Sequence, residues 1–268
     1  MILDELYFNV VAKNVRVVQT LRGEIDCNYN YSQWNLCDYT GDDALRVLDA
    51  RMAFCQEIGI DLDNLVMPCQ SHSTNVEVID DVFLAASIAE QDSRLENVDA
   101  LVTNLPGVCI GVNTADCVPI ALADLEHNVI AIAHAGWRGT VNRIAEAVVK
   151  VMCNLGSIPE NILATMGASI CCNCFEVGDE VVRAFEQAGF EMSLIVHRNV
   201  TTGRAHINLQ EANRQVLVDA GLCAENITLP QHCSRCESDS YFSARRIGIN
   251  SGRTFTGVIL KNELSDVL

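Results

Sequence analysis

Three short apolar runs follow one another in the middle of the chain, at residues 108–113, 117–123 and 129–134. They are rich in valine, isoleucine and alanine and are separated by turn-like or polar residues. Runs that stay apolar at successive positions, instead of alternating, read as strands covered on both faces. We expect them to be buried strands of one sheet. Around them the pattern changes to that of amphipathic helices. One starts at Asp42, which can cap it, carries Leu45, Leu48, Met52 and Cys55 on a common face and stops at Gly59. A strand at 65–68 leads into Gln70-Ser71-His72, and an acidic stretch follows with a helix or excursion near 82–89. Gly136-Trp137-Arg138-Gly139 breaks the strand pattern. A helix then presents Ile144, Val148, Val151 and Met152 on one face. A strand at 162–166 ends in Gly167 and a cysteine-rich loop. Helices at 179–187 and 210–220 follow, the second capped by Asn208 with Glu211 three residues on, and a strand at 254–260 closes the pattern.

No repeat, low-complexity tract or linker interrupts this order. The expectation is a single α/β domain over residues 1–268, a mixed β-sheet flanked by helices. With 268 residues, 49% of them hydrophobic, the chain can bury a large core. Its formal net charge of −17 repels nucleic acid and anionic lipid, and no cluster of lysine and arginine offsets that field. No apolar run reaches the length of a membrane span, and the acidic start MILDELYFNV does not resemble a secretory signal. Partners are therefore expected to be small molecules, with no nucleic acid and no membrane. The 13 cysteines are an odd number in a chain without such a signal. They fit a reducing cytoplasm in which most thiols serve as small buried hydrophobes.

Two residues stand where catalytic groups concentrate in α/β proteins, at strand ends. Cys117 begins one strand after Asn113-Thr114-Ala115-Asp116, and His134 ends the next. If the strands are neighbours, both side chains reach the same end of the sheet. The glycines of Ala135-Gly136-Trp137-Arg138-Gly139 allow a tight turn and a close approach to backbone. By spacing alone, packing residues are the commoner reading of such a pair.

The motifs Asp99-Ala100-Leu101-Val102-Thr103, Asn113-Thr114-Ala115-Asp116-Cys117-Val118-Pro119 and Ala133-His134-Ala135-Gly136-Trp137-Arg138-Gly139 are joined by several others. These are Gly41-Asp42-Asp43, Gln70-Ser71-His72, Phe175-Glu176-Val177-Gly178, Asn208-Leu209, Ser243-Ala244-Arg245-Arg246 and Ser251-Gly252-Arg253. In this order they resemble the signature of the YfiH-type laccase-domain family. That family was first described as multicopper polyphenol oxidases and is now regarded as zinc-dependent purine nucleoside enzymes. The resemblance implies a cysteine-hydrolase-like fold and a catalytic metal centre on His72, Cys117 and His134. Two imidazoles and a thiolate suit zinc, with copper the less favoured metal, and three protein ligands leave a fourth position open. It implies phosphorolysis of adenosine, inosine and S-methyl-5′-thioadenosine, with phosphate as co-substrate and adenosine deamination as a further activity. The matching family arginine places phosphate on Arg51. Arg245, Arg246 and Arg253 are further candidates, because guanidinium forks match phosphate oxygens. Nothing distinguishes a monomer from a homodimer.

The sequence departs from the family in two places. Ser73 follows the first histidine, where glycine is usual. Gly167-Ala168-Ser169-Ile170-Cys171-Cys172-Asn173-Cys174 lacks a glycine and the prolines of the corresponding stretch. That loop holds Cys171-x-x-Cys174, and Cys233-x-x-Cys236 comes later. Two such pairs can build a structural zinc site, but 59 residues separate them, so pocket lining or packing is the expectation for these thiols and for Cys172. Of the other histidines, His127 is expected in a solvated turn and His206 in a structural position, while His197 and His232 have no assigned role.

Three other readings compete. Cys117 with His134 as its base would make a metal-independent cysteine hydrolase, for which His72 has no use. A copper-dependent polyphenol oxidase would need a histidine-rich cluster, and only six histidines exist. A zinc-stabilised binding module would close the fourth position with Cys171, Cys172 or Cys174.

Overall fold

The computed structural model describes residues 3–10, 12–26 and 28–261. The central runs form strands Cys109–Thr114, Val118–Asp124 and Val129–Ala135, and every residue in them is buried. They do not share one sheet. Val118–Asp124 and Val129–Ala135 are an antiparallel hairpin inside a six-stranded sheet. That sheet continues on one side through Ala100–Thr103 to Val76–Val78, and on the other through Leu163–Met166 to Ile227–Thr228. Cys109–Thr114 lies instead in a five-stranded sheet, between Thr254–Leu260 and Leu65–Val66, with Val15–Thr20 and Leu3–Leu6 beyond. Asp116 marks the change of sheet. Its left-handed backbone, at φ 88°, lies between the Cys109–Thr114 and Val118–Asp124 strands. Both sheets mix parallel and antiparallel pairs, and a small antiparallel sheet of Glu176–Val177, Val196–Arg198 and Ala205–Ile207 is separate. The architecture is mixed α/β with several sheets, where a single sheet was expected.

Period-two side-chain alternation explains the layering. In the six-stranded sheet, Ala100, Val102, Val118, Ile120, Leu122, Ala131 and Ala133 pack with Ile144, Val148 and Met152 of helix Ile144–Asn154 and with Val216 and Leu217 of helix Leu209–Asp219. The alternate residues Leu101, Ala121, Ile130 and Ile132 face Val17, Ile110, Val112 and Val258 of the five-stranded sheet. Both faces are therefore covered, which is why the strands are continuously apolar. The outer face of the five-stranded sheet, with Val18, Cys109, Phe255 and Ile259, is covered by Ala50, Phe54 and Cys55 of helix Ala44–Ile58.

That first helix differs from its expected face. Asp43, not Asp42, caps it, accepting from the backbone N–H groups of Leu45 and Arg46. The Asp42 carboxylate is engaged elsewhere, accepting from Tyr29 Oη and from Asn35 Nδ2. Leu45, Leu48 and Met52 are 71%, 41% and 54% exposed, while Val47, Ala50, Phe54 and Cys55 are buried. The helix carries apolar residues on two faces. The sheet takes the one bearing Phe54, which meets Phe255 edge-to-face at 4.9 Å. Gly59 ends the helix in the left-handed conformation, as expected. The acidic excursion resolves into helices Asp81–Ala85 and Ile88–Leu95, the second started by a Ser87–Glu90 capping box. No helix among the described residues is long and apolar enough to cross a membrane.

Candidate metal centre

The strand register builds the centre. Ala100 pairs with Ala133 across antiparallel strands, so Asp99 and His134 stand opposite each other, and the His134 backbone N–H donates to the Asp99 carbonyl at 2.8 Å. Pro119 pairs with His134, which makes Cys117 a diagonal neighbour of the histidine. By alternation, Asp99, His134 and Cys117 all fall on the face turned toward the five-stranded sheet, at the end where the hairpin stops. His72 arrives from the loop after Leu65–Val66. The metal-ligating atoms of His72, Cys117 and His134 all lie within 4.8 Å of one another. His72 Nε2 is 3.8 Å from Cys117 Sγ, and the two imidazoles meet edge-to-face with centroids 4.8 Å apart. Gly136 leaves room for the cluster, since a Cβ there would stand 2.9 Å from Cys117 Sγ and 2.7 Å from His72 Cδ2 and would force one of them to shift.

Asp99 organises the group. It is fully buried, and its carboxylate accepts from the backbone N–H groups of Ser71, His72 and Ser73, from Ser73 Oγ at 2.8 Å and from His134 Nδ1 at 2.7 Å. These bonds hold His72 in a left-handed conformation at φ 64°, a strained geometry that clusters at functional sites. They also fix the His134 tautomer, with Nδ1 on the carboxylate and Nε2 free for the centre. Burial opposes the charge on Asp99, but the His134 and Ser73 donors overcome it and hold the pKa at about 2. In the metal-free centre burial likewise opposes the Cys117 thiolate, yet His134 and His72 bring its pKa down to about 6. The His134 imidazolium, disfavoured by burial, is held up to about 9 by Cys117 and Asp99. The pair is thus a thiolate beside an imidazolium near neutral pH, ready to take a cation in exchange for a proton. Ser73, the departure from the family pattern, acts here as an extra donor to Asp99. Asp99 itself had no assigned role from sequence, although an aspartate directly before the apolar run Ala100-Leu101-Val102 is a signal that it must be paired.

The centre is open on one side. His134 is 4% exposed and Cys117 half-buried, while His72 is exposed. Among the described residues no fourth His, Cys, Asp or Glu joins the group. The donor set, the locked tautomer and the missing Cβ at 136 all fit a bound transition metal. Histidines 127, 206 and 232 are engaged elsewhere, with Asp124, the Cys172 carbonyl and Glu237, so no histidine-rich cluster for further copper ions forms among the described residues.

The four candidate arginines divide. The Arg51 guanidinium donates to the Leu36 carbonyl at 2.9 Å and pairs with Asp38 at 2.8 Å. It lines a cavity of about 530 Å³ with Asp38, Met67 and Asn113, and the Gln70 side chain bonds the Asn113 backbone N–H and carbonyl. Arg51 is thus half-buried. Arg253 donates to the carbonyls of Ser251, Gly252 and Ile249. Arg245 stands over the Phe175 ring, and its backbone N–H bonds the Asp116 carboxylate beside Cys117 at 2.6 Å. Arg246 is exposed. The two cysteine pairs, expected to be separate, come together, with the sulfurs of Cys171, Cys174, Cys233 and Cys236 within 4.8 Å of one another.

Fold and site together define a mixed α/β protein with a cluster of two histidines and a cysteine that could hold a metal ion and is open on one side. Residues 16–261 match the family described as multi-copper polyphenol oxidoreductase laccase, and the chain belongs to that family. It is 59% identical over 259 residues to adenosine deaminase RL5 from an unknown prokaryotic organism, covering 97% of this chain and 99% of that one. It is 39% identical over 232 residues to a purine nucleoside phosphorylase of Bacteroides thetaiotaomicron, covering 86% of each. YlmD from Geobacillus stearothermophilus superposes with a TM-score of 0.85 at 25% identity, covering 93% of both chains.

Proposed function

We propose that this chain is a zinc-dependent purine nucleoside phosphorylase that also deaminates adenosine. The observation that carries the reading is the open constellation of His72, Cys117 and His134 backed by Asp99. Relatives named for the two activities support the substrate class. His72 Nε2, His134 Nε2 and the Cys117 thiolate would hold the metal. Zinc there supplies a Lewis acid that activates water or polarises the purine. The residues do the rest. Asp99 keeps both histidines aimed, and arginines hold phosphate against the overall negative charge. In phosphorolysis a phosphate oxygen bonds the ribosyl carbon as the bond to the base nitrogen breaks and its electron pair leaves with the base. In deamination water replaces the amino group, giving inosine and ammonia. Arg51 serves phosphate only by exchanging its Asp38 partner. Arg245 and Arg246, at the exposed turn beside Asp116, are the alternative.

Incubating the protein with adenosine, inosine and S-methyl-5′-thioadenosine, with and without phosphate, tests this. Base and ribose 1-phosphate should appear only with phosphate, and inosine should form from adenosine in either case. Free base without phosphate would contradict the proposal, as would no conversion at all. Asp99, His134 and Cys117 also stand in the order of a Cys-His-Asp triad. Activity that survives complete metal removal would favour that second reading.

A further inference from the structure

We propose that Cys171, Cys174, Cys233 and Cys236 form a second, structural metal site that holds one zinc ion through four thiolates. The four sulfurs lie within 4.8 Å of one another, and the Cys174 and Cys236 sulfurs are 3.4 Å apart. A tetrahedral ion with bonds of about 2.3 Å needs its sulfurs about 3.8 Å apart, so all four reach one centre with small movements. A soft, closed, all-thiolate set of this kind selects zinc over hard cations. Each thiol gives its proton to solvent as the metal binds.

The surroundings are those of a built site. Each Cys-x-x-Cys pair lies on a tight turn, since Cys174 and Phe175 N–H groups donate to the Cys171 carbonyl and Glu237 N–H to the Cys233 carbonyl at 2.9 Å. An isolated parallel bridge between Ser169 and Cys233 sets the register of the two turns. Two donors already point at sulfur. The Cys171 N–H lies 3.3 Å from Cys233 Sγ, and Arg235 Nη1 lies 3.4 Å from Cys174 Sγ. Such bonds stabilise the charge of a metal-bound thiolate, and Arg235 sets a positive charge against the net negative charge of a zinc tetrathiolate.

The site also has a purpose in this fold. The first turn follows Ile170, whose N–H donates to the Asp116 carbonyl at 2.9 Å. The second contains Ser234, whose Oγ donates to the Asp116 carboxylate at 2.7 Å. A metal joining the turns therefore clamps the strained residue next to Cys117 from both sides, and secures the approach to Arg245.

Metal analysis of protein purified under reducing conditions with zinc present tests this independently of the catalytic proposal. We expect two zinc per chain, one of which is lost in Cys174→Ser/Cys236→Ser while His72→Ala/Cys117→Ala loses the other. No zinc at all, or a zinc content that is unchanged in the Cys174→Ser/Cys236→Ser variant whether the wild-type chain holds one ion or two, would overturn the proposal. Cobalt exchange removes any dependence on that variant's folding. Strong sulfur-to-cobalt charge transfer with tetrahedral bands should survive in Cys117→Ala, and its disappearance there would also overturn the proposal.

Discussion

The two sulfur-containing clusters are opposites in construction. His72, Cys117 and His134 stand at strand ends beside a buried aspartate, with three ligands and one open side. Cys171, Cys174, Cys233 and Cys236 stand on two turns outside the sheets, with four sulfurs that would fill every position of a tetrahedral ion. The first has strain and a proton to exchange, as at His72 and at the Cys117–His134 pair. The second has only donors that quiet its charge. An open centre does chemistry and a closed one holds loops. Asp116 connects them, because bonds from both turns converge on the residue before Cys117.

The sharpest test of this contrast is a crossed pair of variants. Cys117→Ala should reduce nucleoside turnover to background, and its loss of melting temperature should be confined to the binding energy of the one ion it can no longer hold, because its strand is held by the core. Cys174→Ser/Cys236→Ser should do the reverse first. Losing a bound ion at a free concentration a thousandfold above its dissociation constant removes about 4 kcal/mol, or roughly 10 °C in a chain of this size. Activity assays with thermal unfolding in parallel read both. Equal losses of activity and stability in both variants would break the contrast.

Asp99→Asn keeps the shape but removes the charge that orders His72 and His134. Metal affinity at the open centre should fall about 10- to 100-fold, measured by competition with a chromophoric chelator, while the four-cysteine site keeps its metal. Among the arginines, Arg51→Ala and Arg245→Ala separate the two candidate phosphate positions. The one that touches phosphate should lose roughly ten- to a hundredfold in phosphorolysis and little in deamination, as read from product ratios at several phosphate concentrations.

The smallest effect is a proton count. At pH 7.5 Cys117 is already ionised and His134 still protonated in the metal-free centre, because their pKa values are about 6 and about 9. Zinc entering the open centre should release about one proton. The count should fall toward zero above pH 9, where His134 has already given up its proton. Calorimetry in buffers of different ionisation enthalpy, on protein whose four cysteines are replaced, measures it.

Much of this was legible in the sequence, for identifiable reasons. Strands covered on both faces leave continuous apolar runs, so Val118–Asp124 and Val129–Ala135 could be read, and with them the ends that carry Cys117 and His134. The change of sheet after Cys109–Thr114 could not, because it accompanies one backbone torsion at Asp116. The face of helix Ala44–Ile58 was misread because leucines occupy the side away from the sheet, and only the partner Phe255 decides the matter. The four-cysteine cluster was hidden for a similar reason. Each pair was visible, but a bridge between Ser169 and Cys233, distant in sequence, is what joins them. Asp99 was hidden among apolar neighbours, and its five donors come from the backbone and side chains of residues scattered between 71 and 134.

The most direct measurement is an anomalous difference map from crystals of the zinc-loaded protein, with data on either side of the zinc edge. The account predicts two peaks per chain. One should lie between His72 Nε2, Cys117 Sγ and His134 Nε2 with no fourth protein ligand, and the other should lie at the centre of the four cysteine sulfurs. A first centre without a peak, or one closed by a fourth side chain, would contradict it.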